Sequence, residues 1–265
     1  IRFFTSLFTF LSLILIFKTS QHLFANSHLP YAILLFAGFH PKFIHRSASI
    51  INIPLLTLAF SLFFYWALTQ KPSLKTSFLL GIATGLALIT KITGLNLIIF
   101  FAVYLLLFVK PWMNRIKQIL IFALGALGIS GWNLARNFIL YGDPLALNQA
   151  LRIAADLHPS RVISLLGSSA NYWFAVLETT FITFWDGFGW ETILFGRLIH
   201  YGLLLLTLFS MIGFVKSKIN KSLLFLSLTL VIFTAAFLKV NTQFFTPQGK
   251  DFFPMILPIS IIFVL

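Results

Sequence analysis

Lys91, Arg136 and Lys250 are the side chains in this sequence whose type and position suit chemistry at a membrane edge. Lys91 closes the apolar run GLALITK at 85–91. A lysine there either snorkels its ammonium to the interface or offers a fixed cation to a phosphate or carboxylate. Arg136 lies in GWNLARNFILYGDP at 131–144, where its guanidinium fork fits phosphate oxygens and Trp132, Asn137 and Asp143 can contact a sugar or an acceptor. The plainer alternative pairs Arg136 with Asp143 at a helix end. Lys250 belongs to NTQFFTPQGKDFFP at 241–254, with Gln248 and Asp251 beside it. It serves either as a lipid-phosphate contact balanced by Asp251 or as part of an interfacial ion pair after a turn at Pro247 and Gly249.

FWDGFGWE at 184–191 adds Trp185, Asp186, Trp190 and Glu191. Aromatic faces next to carboxylates suit a carbohydrate, but an interfacial aromatic belt predicts the same tryptophans. The separation of Asp186 and Glu191 in space is not given by sequence, so neither is assigned as acid or base. The 6 histidines have no ligand spacing and the chain has 0 cysteines, so neither a metal nor a cofactor is expected. No phosphate-binding loop or dinucleotide fingerprint occurs.

The elements that must position these groups are membrane helices. Of 265 residues, 59% are hydrophobic and 9% charged, and the mean hydropathy is +0.96. No soluble fold hides that much apolar surface. Apolar segments fall near 2–18, 29–40, 49–69, 77–92, 94–109, 117–135, 196–215, 221–238 and 252–265. They predict an all-α polytopic transmembrane bundle, one domain over 1–265 with about 8–9 membrane segments. The net charge of +13 in a soluble chain would suggest nucleic acid; here the basic residues sit in short turns between apolar runs. Cytoplasmic turns and lipid headgroups explain them, and no nucleic-acid partner is expected.

Putting the turns with Lys71 and Lys75, with Lys110, Arg115 and Lys117, and with Lys216, Lys218 and Lys221 in the cytoplasm sets the orientation. The long connection 136–195 is then extracytoplasmic. Asp143-Pro144 predicts a helix start there, with Arg152 and Asp156 paired on one face. His158-Pro159-Ser160 breaks that helix and Ser160 caps a second one, giving amphipathic juxtamembrane helices with Tyr172, Trp173 and Trp185 as interfacial anchors. Glycines 81, 85, 94, 125, 128 and 131 can let helices approach closely.

FHPKFIHRSASIIN at 39–52, GLALITK, GWNLARNFILYGDP, FWDGFGW and PQGKDFFPMILP at 247–258, in this order between spans, resemble the superfamily of polyprenyl- or dolichyl-phosphate-sugar-dependent membrane glycosyltransferases. That superfamily includes mannosyltransferase-like and aminoarabinose-transferase-like branches. Related sequences often carry Asn-Asp where this one has Asn52-Ile53, and an arginine where it has Lys250.

The resemblance implies a multi-pass protein of a bacterial plasma membrane, part of the cell-envelope machinery and surrounded by membrane lipids. It implies transfer of a sugar from a polyprenyl-phosphate-linked donor to a glycan, lipid or protein acceptor at the extracytoplasmic face. Lys91, Arg136 and Lys250 would hold the lipid phosphate; Trp132, Asn137, Asp143, Trp185, Asp186, Trp190 and Gln248 would meet sugar or acceptor. The resemblance puts the principal catalytic carboxylate in a first extracytoplasmic loop upstream of residue 1, so the sequence reads as a fragment, with enzyme activity expected of the full-length protein. A transporter or flippase of a lipid-linked or small polar substrate, and a non-catalytic membrane assembly protein, remain alternatives.

Overall fold

The computed structural model describes residues 2–153, 155–189 and 192–265; Trp190 lies outside them. Thirteen α-helices follow in order: α1 Arg2–Leu23, α2 Leu29–Gly38, α3 Pro41–Ser47, α4 Ile53–Thr69, α5 Leu74–Thr90, α6 Asn96–Phe108, α7 Trp112–Tyr141, α8 Leu147–Ile153, α9 Pro159–Leu166, α10 Ser169–Trp185, α11 Arg197–Lys216, α12 Lys221–Asn241 and α13 Ile256–Val264. Short 3-10 segments lie at Ile92–Leu95, Ala155–Leu157 and Gly249–Met255. By length and composition α1, α7, α11 and α12 suit a bilayer crossing, and α2, α4, α5 and Ile92–Phe108 are shorter apolar helices.

The surface is that of a protein dissolved in lipid. Helix α1 turns Thr5, Thr9, Ser12, Thr19 and Ser20 inward and leaves Phe3, Phe4 and Phe10 exposed, the reverse of a helix in water. Its buried hydroxyls cost little because they donate to carbonyls of the preceding turn, as Ser12 Oγ does to Phe8 O at 2.8 Å and Ser20 Oγ to Ile16 O at 2.8 Å. Helix α11 goes further, burying only Ser210 while most of its leucines and Phe209 face outward.

Helices α5 and α7 make the tightest pair. A Cβ on Gly81 would lie 2.2 Å from Phe122 O, one on Gly85 2.7 Å from Ala126 O, and one on Gly125 2.5 Å from Phe78 O. Backbones this close explain the Gly81 and Gly85 spacing as a packing motif. Ser77 Oγ joins Gln118 Oε1 at 2.9 Å in the same buried seam. Gly128, by contrast, faces open space and plays no part in it. The contacts advance together along both helices, so α5 and α7 are parallel and end at the same end of the bundle.

Helix α4 fills the centre, with Phe60, Phe63 and Phe64 wholly buried against Phe100, Phe225 and Phe233. Because short turns reverse the chain between α4, α5, α6 and α7 and again between α11 and α12, the lysine-rich turns gather at one end of the bundle. Lys91, Asn241 and Asp251 belong to the opposite end, called here the site end.

The long connection departs from the expectation in its details. Asp143 does cap a helix, but α8 starts at Leu147 rather than Pro144: Oδ1 accepts from Leu145 N–H and Oδ2 from Asn148 N–H, both at 3.0 Å. Asp156 pairs with Arg161, not with Arg152. His158, not Ser160, caps α9, and the second predicted helix breaks at Gly167, where φ of +82° suits glycine and Ser168 starts α10. Tyr172 and Trp185 are buried instead of anchoring an interface, since each has a partner inside: Tyr172 Oη donates to Asn241 O and Trp185 stacks on His40. The loop after α2 also forms a helix, α3, with Pro41 in its first turn.

Candidate functional site

Helix α3 begins the site. His40 caps it, its Nδ1 accepting from Phe43 N–H at 3.4 Å, while the ring lies parallel to Trp185 at 5.0 Å and edge-on to Phe184 and Phe253. Two residues on, Lys42 is wholly buried and its Nζ donates to Gly187 O. Both contacts tie α3 to the end of α10, joining FHPK to FWDG. A buried lysine needs such an acceptor, because an unpartnered ammonium there would be strongly destabilising.

Asp186, also wholly buried, closes the turn that follows. Its Oδ2 accepts from Phe195 N–H and lies 3.0 Å from His200 Nε2, while Oδ1 has no hydrogen-bond partner among the described residues. The carboxylate thereby links the end of α10 to the start of α11.

The 3-10 segment Gly249–Met255 lies across α10 at a contact that admits no side chain. A Cβ on Gly249 would stand 2.1 Å from Phe184 N and 2.3 Å from Thr180 O, and Gly249 N–H donates to Thr183 Oγ1 at 2.7 Å. Beyond this seat, Asp251 Oδ1 meets Lys91 Nζ at 2.6 Å. Lys250 sits between the seat and that ion pair. Asn52 steadies the same corner, its Nδ2 donating to Thr90 O at 3.3 Å. Gln248 caps the 3-10 segment and its carbonyl accepts from Asp251 N–H at 3.0 Å.

The structure therefore brings Lys91 to the Lys250–Asp251 turn and packs Trp185 and Asp186 next to it through Gly249. Asp251 answers Lys91 across 160 residues. Arg136, Asn137 and Asp143 share the site end but are engaged in the turn after α7. Arg136 Nη1 donates to Asn137 Oδ1 at 3.4 Å, and Asn137 Nδ2 to Pro144 O at 3.2 Å. Asp143 holds backbone N–H groups rather than Arg136, and those hydrogen bonds, led by the one from Asn148, lower its pKa. Trp132 is exposed on α7. His40, Lys42, Thr183 and His200 shape the site without having been singled out by sequence, and Gly249 was read only as part of a turn. Only the first two carried a signal, a capping residue before proline and a lysine directly after that proline. Among the described residues no group of three or more metal-ligating side chains occurs.

Beside this corner runs a groove of about 330 Å³ between α10, α11, α12 and α13, with Phe184, Trp185 and Phe252 on its wall. Its hydroxyls are turned away from any occupant: Thr180 donates to Val176 O at 2.6 Å, Thr207 to Leu203 O at 2.8 Å and Thr234 to Leu230 O at 2.9 Å. Each threonine thus contributes a methyl, and the groove offers hydrocarbon only. Helix α11 packs on α13, leaving the space under α10 between α11 and α12.

An apolar helical bundle with paired and buried charges gathered at one end defines a polytopic membrane protein with a polar site at its edge. Residues 1–132 match the family of dolichyl-phosphate-mannose-protein mannosyltransferases, a match consistent with the superfamily of lipid-phosphate-sugar-dependent membrane glycosyltransferases. The match takes in FHPKFIHRSASIIN and Lys91; the α10 end and the Gly249 turn lie beyond it. No curated protein and no solved structure matches the chain.

Proposed function

We propose that the site end of this bundle binds a polyprenyl-phosphate-linked sugar and takes part in its transfer to a hydroxyl of a glycan, lipid or protein at the extracytoplasmic face of a bacterial plasma membrane. The observation that carries the reading is the juxtaposition of two lysines, Lys91 and Lys250, with a hydrocarbon-only groove across the Gly249 seat. A lipid phosphate needs both halves: cations for its head and an apolar slot for its tail. The same juxtaposition favours an enzyme over a transporter, whose ion pairs are expected within the span.

In the reaction the acceptor oxygen attacks the anomeric carbon, the bond from that carbon to the phosphate oxygen breaks, and the lipid phosphate departs. Lys91 and Lys250 stabilise the charge gathering on it, electrostatic catalysis that requires no nucleotide. Asp251 keeps Lys91 oriented at the rim. The acceptor proton passes to a general base; Asp251 and Asp186 are already engaged by Lys91 and by Phe195 with His200, so neither takes that role. Trp185 is buried in the groove wall, and sugar contacts are assigned to Gln248 and to the rim around it. Arg136 is retained as a long-range contributor to the phosphate's potential.

The test supplies radiolabelled polyprenyl-phosphate mannose to membranes holding the full-length protein. Lys250→Met is expected to reduce transfer by about a hundredfold, the scale for losing one electrostatic contact to the departing group. Unchanged transfer in both Lys250→Met and Lys91→Met overturns the assignment.

A further inference from the structure

The groove is short, and its length sets what part of a lipid donor it can read. Going down α12 from the site end, its wall runs from Leu238 to Leu230, about 12 Å at the helical rise of 1.5 Å per residue. Thr207, two turns into α11 from His200, is the residue by which α11 lines the groove, and Leu230 is the lining residue of α12 furthest from the site end. An isoprene unit places four carbon–carbon bonds in line and spans about 5 Å at ordinary chain geometry. Two to three units fill the distance. Volume gives the same answer independently: about 330 Å³ accommodates on the order of eleven groups the size of a water molecule, close to the ten carbons of two isoprene units.

We infer that this protein recognises only the two to three isoprene units nearest the phosphate, and that Thr207 and Leu230 set that limit. The inference rests on the lipid-phosphate reading above. The occupant is fixed by what surrounds the groove. Its lining has no free hydroxyl to offer, because Thr180, Thr207 and Thr234 all bond to their own helices. Its rim meets the turn that carries Lys250 and the Lys91–Asp251 pair, through Gly249 packed on Thr180 and Phe184, both of which also line the groove. A chain that is hydrocarbon for its first ten to fifteen carbons and anionic at one end matches both regions. Units beyond the floor remain among lipid tails, which are as apolar as leucine and give no further preference for the protein.

The experiment measures binding of dimethylallyl, geranyl, farnesyl and undecaprenyl monophosphates to the full-length protein in lipid nanodiscs, by competition against labelled undecaprenyl monophosphate. Affinity is expected to rise by about tenfold or more from one to three units as apolar contacts accumulate, then to change by less than about threefold from three units to eleven. Affinity that keeps climbing beyond farnesyl overturns the inference and leaves the donor reading standing. Failure of every monophosphate to bind overturns both.

Thr207→Phe fills the floor from α11, which buries little else and so tolerates the change; Leu230→Trp fills it from α12. Either variant is expected to move the plateau from three units to one or two. Lys250→Met is expected to weaken all four ligands by the same factor. Equal weakening at every length by both floor variants contradicts the roles given to Thr207 and Leu230.

Discussion

Replacing Gly249 with alanine tests whether the seat on α10 positions the lysine-bearing turn. The new Cβ would stand 2.1 Å from Phe184 N, 2.3 Å from Thr180 O and 2.4 Å from Phe184 Cα, where ordinary contacts begin at 3.4 Å. All three are backbone atoms of one helix, so no rotamer change relieves the overlap and the 3-10 segment must withdraw by more than about 1 Å. Overpacking of this kind costs about 1–3 kcal/mol. Withdrawal also breaks the 2.7 Å bond from Gly249 N–H to Thr183 Oγ1, and a buried donor left unmade adds about 1–3 kcal/mol. A displacement of 1 Å carried to Lys250 and Asp251 costs on the order of a hundredfold in rate. The assay pairs thermal unfolding of the purified full-length protein with transfer from labelled polyprenyl-phosphate mannose. Gly128→Ala is the control, since a Cβ there meets nothing within 4 Å. If Gly249→Ala matches the control in melting temperature and in transfer, the seat has no positioning role and the reasoning fails.

Two further outcomes concern parts of the fold away from that seat. Gln118→Leu alone strands the buried Ser77 hydroxyl and is expected to destabilise the α5–α7 pair by about 1–3 kcal/mol; adding Ser77→Ala should recover part of the loss, which unfolding midpoints of the single and double variants will show. Asp143 has its pKa lowered by the N–H groups it accepts, so its capping contribution is present above the unfolded value near 3.9 and is lost as pH falls through the folded one. Protection from hydrogen exchange across 145–153, relative to the intrinsic rate at each pH, is therefore expected to fall on acidification below about pH 4 in the native protein and to be already low at neutral pH in Asp143→Ala; unaltered protection in the variant removes the cap.

Helical class was legible because its signals are local. Composition marked the lipid environment, and the observed α4, α11 and α12 fall on predicted apolar runs with ends shifted by a few residues. Lys91 stood out as a charge at the end of an apolar helix, and the structure gives it an ionic partner at that end. That the partner is Asp251 depends on a contact between α5 and a segment 160 residues later, which no local pattern encodes. The alternative that pairs Arg136 with Asp143 rests on their closeness in sequence. The turn after α7 instead uses Asp143 on backbone N–H groups, because a helix start leaves those donors unmet and a carboxylate a few residues away satisfies them. Tyr172 and Trp185 failed as anchors for a similar reason: aromatic side chains with one polar atom suit an interface or a buried acceptor equally, and only the tertiary fold chooses.

The breaks between helices explain why the polar groups meet where they do. At Phe39–His40 α2 stops and α3 starts on Pro41; at Lys91 α5 gives way to a 3-10 turn; at Gly249–Met255 a 3-10 segment containing Pro254 precedes α13. In a bilayer an interrupted helix exposes N–H and C=O groups that lipid cannot satisfy, so interruptions persist only where protein or a polar cavity receives them. Here the three interruptions receive one another: the first reaches the end of α10 through Lys42 and His40, the third sits on α10 through Gly249, and the second meets the third through Lys91 and Asp251. Helices that were continuous through these points would be individually more stable and would leave no edge at which charge could be held. The site is thus a consequence of where the prolines and glycines stop the helices, and the lysines lie next to those stops because only there does the bundle supply partners for them.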